Sequence, residues 1–332
     1  DQIDGIKTTS GKNPDIMEIA LPDKLLPGNK TIIETPFYTK LPYVFSRSGH
    51  VGQTYQITQW YPKPAVYDKK GWHAMPYLDQ GEFYSEFGNY DVSISLPKNY
   101  KVASTGVLTD SITTNDTTTL RYSQNDVHDF AWFADKEFQI IKDSLMLKSG
   151  KIIDAELYHY ADSTGVWSKG MNYLKNAIRS KSEWIGEYPY SKVAVVEGRL
   201  SDWGGMEYPM VTIIEKANSA NELQNLINHE VGHNWFYGIL GSNERDFPWM
   251  DEGMNSYYDK RYQSTYNKLK KKELPGFINK RIPEDFESIM MATVCKAKMD
   301  QPISTASYDF NALNYGLIAY QKTAKWMQQI AE

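Results

Sequence analysis

The chain has 332 residues, 41% hydrophobic and 23% charged, a globular balance with room for about two domains of roughly 150 residues each. Its net charge of −5, from 36 basic and 41 acidic residues, gives no overall electrostatic footprint for nucleic acid or an anionic membrane surface. A single cysteine, Cys295, excludes an intrachain disulfide framework and a multi-cysteine metal site, which leaves six His and the carboxylates as metal ligands.

From residue 1 to about 140 the sequence reads as a β-rich domain. It begins at Asp1 without a basic-then-apolar leader, read as a removed signal or a fragment; export to a periplasmic or extracellular space is the favoured localisation. Short runs rich in Thr, Val, Ile and aromatics predict strands at Lys30 to Thr35, Gln53 to Trp60, Tyr90 to Leu96, Lys101 to Leu108, Thr117 to Tyr122 and Asp129 to Ala134. In Asp91 to Leu96 polar and apolar residues alternate, so one face should be buried. Many short strands at this spacing favour a β-sandwich.

After about 141 the periodicity turns helical. Met171, Leu174, Ile178 and Ile185 predict an amphipathic helix over 165–186, ended by Pro189. Val193 to Val196 and Met210 to Ile214 read as buried strands. A helix then starts near Ser219 or Asn221 and runs to about Tyr237, and a further one spans about Trp249 to Tyr266. The lysines at 268, 270, 271 and 272 read as a solvated helix end, and Ala312 to Ala331 is again helical. Cys295, in an apolar stretch with no adjacent His, reads as an inert buried thiol. No window approaches 18 consecutive apolar residues, so no transmembrane helix is expected.

The chemistry concentrates in His229-Glu230-Val231-Gly232-His233. Positions i and i+4 of a helix share a face, so two imidazoles on adjacent turns can grip one metal ion, with Glu230 beside it as a base toward metal-bound water. Glu252, in Trp249-Met250-Asp251-Glu252-Gly253, lies nineteen positions after His233 near the start of the next helix. Two antiparallel helices would return it to the His pair. Two nitrogens and one carboxylate leave a fourth tetrahedral position for water, the catalytic type of site, and imidazole ligation favours a single Zn2+ over magnesium or calcium.

Together with Gly204-Gly205-Met206-Glu207-Tyr208, these segments resemble the zinc aminopeptidases related to aminopeptidase N and leukotriene hydrolase, the gluzincin metallopeptidases. The resemblance runs from about residue 30 to the end and is strongest over 184–260. It implies an α+β fold, with an amino-terminal β-sandwich portion over 1–140 followed by a thermolysin-like α/β zinc metallopeptidase domain over 141–332. Family members are longer at both ends, so the chain is expected to hold a partial sheet domain and to lack later helical segments.

Residue by residue, Gly204, Gly205, Met206 and Glu207 fall on the family's Gly-x-Met-Glu-Asn substrate motif. Ala319-Tyr320-Gln321-Lys322 resembles the segment whose Tyr hydrogen-bonds the tetrahedral intermediate, which gives Tyr320 that role; Tyr315 precedes it by five positions, as in some members. Thr58-Gln59-Trp60-Tyr61 resembles the segment that reaches the substrate from the amino-terminal domain, making Gln59 a substrate-binding candidate. Two departures stand out: Tyr208 replaces the usual Asn, and Tyr61 replaces a second amine-binding Glu or Gln. A phenol lacks a carboxylate's charge.

The expected reaction is zinc-dependent peptide hydrolysis. His229, His233 and Glu252 hold the metal, Glu230 moves the proton, and Glu207 pairs with a substrate's α-ammonium so that cleavage falls one residue in. Gly204 and Gly205 let an extended peptide approach the backbone. The expected partners are peptides with a free amino terminus, without nucleic acid. Two alternatives stay open: a zinc endopeptidase of the thermolysin type, and a zinc-holding peptide-binding protein without turnover.

Overall fold

The computed structural model describes residues 2–3, 6–10, 13–43, 46–161, 164–201, 204–215, 217–267 and 286–332. The architecture is mixed α+β with several sheets. Strands β1 (Gln2–Ile3), β2 (Ile6–Ser10) and β3 (Met17–Ile19) form a small antiparallel sheet. Then follow β4 (Gly49–Val51), β5 (Thr54–Ile57), the hairpin β6 (Val66–Asp68) and β7 (Gly71–His73), β8 (Gly88–Pro97), β9 (Lys101–Ser104), β10 (Val107–Thr114), β11 (Thr117–Val127) and β12 (Trp132–Asp135). They pair into a four-stranded sheet β4-β5-β12-β9 and a three-stranded sheet β10-β11-β8. The alternation read in Asp91 to Leu96 holds, with Ile94 buried between exposed Ser93 and Ser95.

The remaining strands build a five-stranded mixed sheet in the order β13 (Gln139–Met146), β14 (Ile152–His159), β15 (Lys192–Glu197), β17 (Val211–Ile214) and β16 (Gly205–Met206). β14, β15 and β17 run parallel, flanked by antiparallel β13 and β16. The crossover between β14 and β15 is α1 (Gly170–Trp184). α2 (Ala220–His233) starts at Ser219, whose hydroxyl accepts from the Glu222 backbone N–H at 3.2 Å while the Glu222 carboxylate reaches back to the Asn218 N–H at 2.8 Å.

Side-chain alternation decides how this sheet is covered. Ile153, Ala155 and Leu157 of β14 with Val193 and Val195 of β15 face Leu174, Ala177 and Ile178 of α1 and Leu223, Ile227 and Val231 of α2. Ala194 and Val196 turn the other way, with Met206, Val211 and Ile213, and meet Ala103 and Phe133 of the four-stranded sheet. β15 is thus buried on both faces, and its run of Val and Ala needs no polar side.

Several expectations change. Lys30 to Thr35 forms no strand, and Ile32 is 84% exposed; a β-branched run makes a strand only where a sheet face receives it. The run over 101–108 is split at Gly106, whose φ of 80° breaks it between β9 and β10. β1 to β4, β6, β7, β13, β14 and β16 lie outside the strands that the sequence predicts. The helix expected to continue to Tyr237 widens after His233 into π-helical turns over Asn234–Ile239, and the carboxy-terminal helix is interrupted likewise over Tyr315–Lys322. Cys295 is partly exposed rather than buried. The lysines at 268, 270, 271 and 272 lie outside the described residues. Among the described residues no helix is long and apolar enough to cross a membrane.

Candidate metal centre and substrate cleft

The carboxy-terminal turn of α2 and the start of α3 (Glu252–Tyr262) meet at one point. His229 and His233 turn Nε2 toward each other at 3.1 Å, with their rings perpendicular. Glu252 Oε2 lies 3.5 Å from the first of these nitrogens and 3.4 Å from the second. The same oxygen is buried without a hydrogen-bond partner.

The opposite edges of the imidazoles explain why these atoms face inward. His229 Nδ1 lies 2.6 Å from Asp259 Oδ2, and His233 Nδ1 lies 2.6 Å from Asp251 Oδ1. A carboxylate only accepts, so Nδ1 carries the proton and Nε2 keeps its lone pair for a Lewis acid. Asp259 is itself anchored: its Oδ1 accepts from Asn228 Nδ2 at 2.7 Å and lies 3.6 Å from Lys181 Nζ, which also donates to the Asn228 carbonyl at 3.0 Å.

The three inward atoms pass a geometric test for zinc. A tetrahedral ion with bonds of about 2.0–2.1 Å needs ligand atoms about 3.4 Å apart. The triangle here has edges of 3.1, 3.4 and 3.5 Å. At Glu252 burial opposes charge, yet His233 and His229 hold its carboxyl below the usual range.

Glu230 is buried, and burial pushes its carboxyl up to about 7. Its position requires Gly205, where a Cβ would come within 2.7 Å of the Glu230 carboxyl. Gly205 and Met206 pair with Ile214 and Ile213, so β16 ends the sheet, and among the described residues its outer edge has no sheet partner. Glu207 follows directly, and one of its oxygens lies within 4.8 Å of ligating atoms of Glu230 and His233. Tyr320 Oη donates to Glu252 Oε1, and its ring stacks against His229 at 6.2 Å.

The residues expected at the site therefore converge in His229, His233, Glu252, Glu230, Glu207 and Tyr320. Gln59 is occupied elsewhere: its Nε2 donates to Asp129 Oδ2 at 2.6 Å, beside the Tyr61 hydroxyl, which donates to Asp129 Oδ1 at 3.0 Å. Gln59 holds a φ of 50°, a strained value for a residue with a side chain. Sequence reasoning missed Asp259, Asp251, Lys181 and Glu244. A signal existed for the first: Asp259 follows Glu252 by seven positions in one helix, which puts both on one face.

Solved structures share this fold. An M1 zinc metallopeptidase from Deinococcus radiodurans aligns with a TM-score of 0.52 at 16% identity, over 72% of this chain and 51% of that one. A mutant M1 zinc metallopeptidase from the same organism, bound to a Tyr-Ser-Ala substrate, gives 0.61 at 14% identity over 96% and 68%. Aminopeptidase A of Legionella pneumophila, in complex with aspartic acid, gives 0.57 at 16% identity over 85% and 32%. The chain spans about half to two thirds of the length of the Deinococcus structures. No protein-family model and no curated protein matches the sequence. The polypeptide has the fold of the M1 zinc metallopeptidases.

Proposed function

We propose that this chain is a zinc aminopeptidase of the M1 type, releasing amino-terminal residues from peptides. The observation that carries the reading is the triangle of His229 Nε2, His233 Nε2 and Glu252 Oε2. Those residues would hold one Zn2+, which, when bound, supplies a Lewis acid that lowers the pKa of water and polarises a carbonyl.

The chain's own groups divide the remaining work. Glu230, raised by burial toward neutrality, takes a proton from the attacking water and passes it to the departing amine. The Tyr320 hydroxyl, now donating to Glu252, turns its proton to the oxyanion that forms as the peptide carbonyl is attacked. β16 offers its free edge to an extended substrate, which pairs with Gly204, Gly205 and Met206 as an added strand. Glu207, at the end of that strand, takes the α-ammonium group and limits cleavage to the first peptide bond. A sheet domain over 1–140 and a thermolysin-like domain over 141–332 remain the proposed division of labour.

The test compares an aminoacyl chromogenic amide with its N-acetylated form. Cleavage confined to the free amine supports the reading; equal cleavage of both makes the chain an endopeptidase, and one zinc without turnover on any peptide makes it a binding protein.

A further inference from the structure

Beside the His pair, three carboxylates arrive from three separate stretches of chain: Glu207 at the end of β16, Glu244 in the loop after the π-helical turns, and Asp251 just before α3. Each contributes an oxygen, and these oxygens lie within 4.8 Å of one another. Glu207 is 5% exposed and the other two are fully buried. Among the described residues no N–H or O–H donor reaches Glu207 Oε1, Glu244 Oε2 or Asp251 Oδ2, while the carboxyls of Glu244 and Asp251 lie within hydrogen-bond reach of each other. Their remaining contacts show that the cluster is aimed: Asp251 Oδ1 is taken by His233 Nδ1, and Glu244 Oε1 lies 3.5 Å from the Tyr315 hydroxyl. The neighbouring guanidinium of Arg47 is engaged with Glu82 at 2.7 Å and the Met206 sulfur at 2.6 Å.

Buried acceptors left unmatched are costly, about 1–3 kcal/mol each and more when charged. The site therefore favours a cationic donor. An ammonium group carries three N–H donors. Three oxygens within 4.8 Å of one another lie close enough for one ammonium nitrogen to reach all three at hydrogen-bond distance. A hard metal cation fits less well, because calcium takes six to eight oxygens and magnesium an octahedron. Three oxygens saturate an ammonium and leave such a metal open.

We propose that Glu244 is a specificity-determining residue that contacts substrate, forming with Glu207 and Asp251 a three-oxygen seat for the α-ammonium group. This rests on the aminopeptidase reading and adds to it a residue outside any motif of the chain.

The experiment uses the zinc-loaded full chain and two probes, 3-methylbutylamine and its isostere 3-methylbutanol, with binding followed by calorimetry and by competition against an aminoacyl amide. The wild type should bind the amine at least tenfold tighter than the alcohol. Glu244→Gln should abolish most of that preference and raise KM for the free-amine substrate tenfold or more, with kcat within about threefold and one zinc per chain retained. An unchanged amine preference in folded, zinc-loaded Glu244→Gln overturns the proposal. So does a second metal ion per chain in the wild type that is lost in the variant. If Glu244→Gln does not fold, Glu244→Asp decides: its shorter carboxylate must cut the preference at least threefold, and full retention overturns the proposal. Wild type that cleaves free and acetylated substrates alike defeats the aminopeptidase reading itself; discrimination kept intact by Glu244→Gln defeats only the seat.

Discussion

The Nε2 atoms of His229 and His233 stand 3.1 Å apart, each ring's Nδ1 held 2.6 Å from a carboxylate. Two lone pairs so placed repel unless a cation lies within reach of both. A chelator should therefore remove activity and lower the melting temperature, since an ion that binds only the folded state at 100 times its Kd stabilises it by about 2.7 kcal/mol. Asp259→Asn should weaken zinc binding 10–100-fold while leaving the ligands in place, as measured by competition with a chromogenic chelator. Unchanged zinc affinity in that variant would show that Asp259 does not orient His229.

Glu230→Gln keeps the shape of the side chain and removes the proton acceptor. Turnover should fall by 10²–10⁴-fold with zinc content unchanged. In the wild type Glu230 works only when ionised, so log kcat/KM should fall as pH drops through its pKa. Burial sets that value near 7, and a cation at the His pair pulls it lower, which places the acid limb below about pH 7. An activity flat across that range would remove Glu230 from the role.

Tyr320→Phe deletes one hydroxyl donor and little volume. Losing such a donor costs about 3 kcal/mol in the transition state, so kcat should drop about two orders of magnitude with KM nearly constant. A loss expressed wholly in KM would make Tyr320 a ground-state contact instead.

Gly205→Ala places a methyl within 2.7 Å of the Glu230 carboxyl, and Gly205 does not hold a positive φ that would strain the backbone. The variant should fold, lose about 1–3 kcal/mol to overpacking, and lose at least tenfold in kcat as Glu230 is displaced. Thermal melts and kinetics on the same preparation separate the two effects. A melting temperature and kcat both equal to wild type would show that Glu230 has room to move.

Lys192 gives a stability test away from the chemistry. Burial lowers its ammonium pKa to about 8, although its Nζ donates to the Ser104 carbonyl at 2.8 Å. The unfolded chain thus binds more protons than the folded one between about pH 8 and 10.4, and stability contributed by this group rises across that window. Below pH 8 the full cost of burying the charge remains. Wild type should gain up to about 3 kcal/mol relative to Lys192→Met between pH 7 and pH 10, read by denaturant titration at each pH. A constant difference would mean that Lys192 titrates normally.

What the sequence revealed follows from how local each feature is. His229, Glu230 and His233 lie on two adjacent turns of one helix, and Glu252 opens the next helix, so spacing alone placed them. Asp259 was legible in principle, one face-repeat after Glu252, but it sits among Tyr257, Tyr258 and Lys260 with no motif to mark it. Glu244 could not be found that way: its carboxylate comes near that of Glu207 across 37 positions of sequence, a long-range event without a local signature. Lys30 to Thr35 fails for the converse reason. Its composition suits a strand, but Ile32 and Ile33 face solvent and no neighbour accepts their N–H and C=O groups in a ladder. β13 is illegible because Ile140 and Ile141 break strict alternation on an exposed edge strand.

If the proposed function holds, the edge of β16 that is unpaired among the described residues has one more consequence, for which peptides the chain would process. On the proposed aminopeptidase reading, a substrate strand added there is held through its own amides, so the sheet would act as a ruler whose zero is Glu207 and whose marks are N–H groups. Proline lacks that group. Placed where the added strand must donate, it removes a rung of the ladder, and peptides carrying it should stall with their first bond short of the His pair.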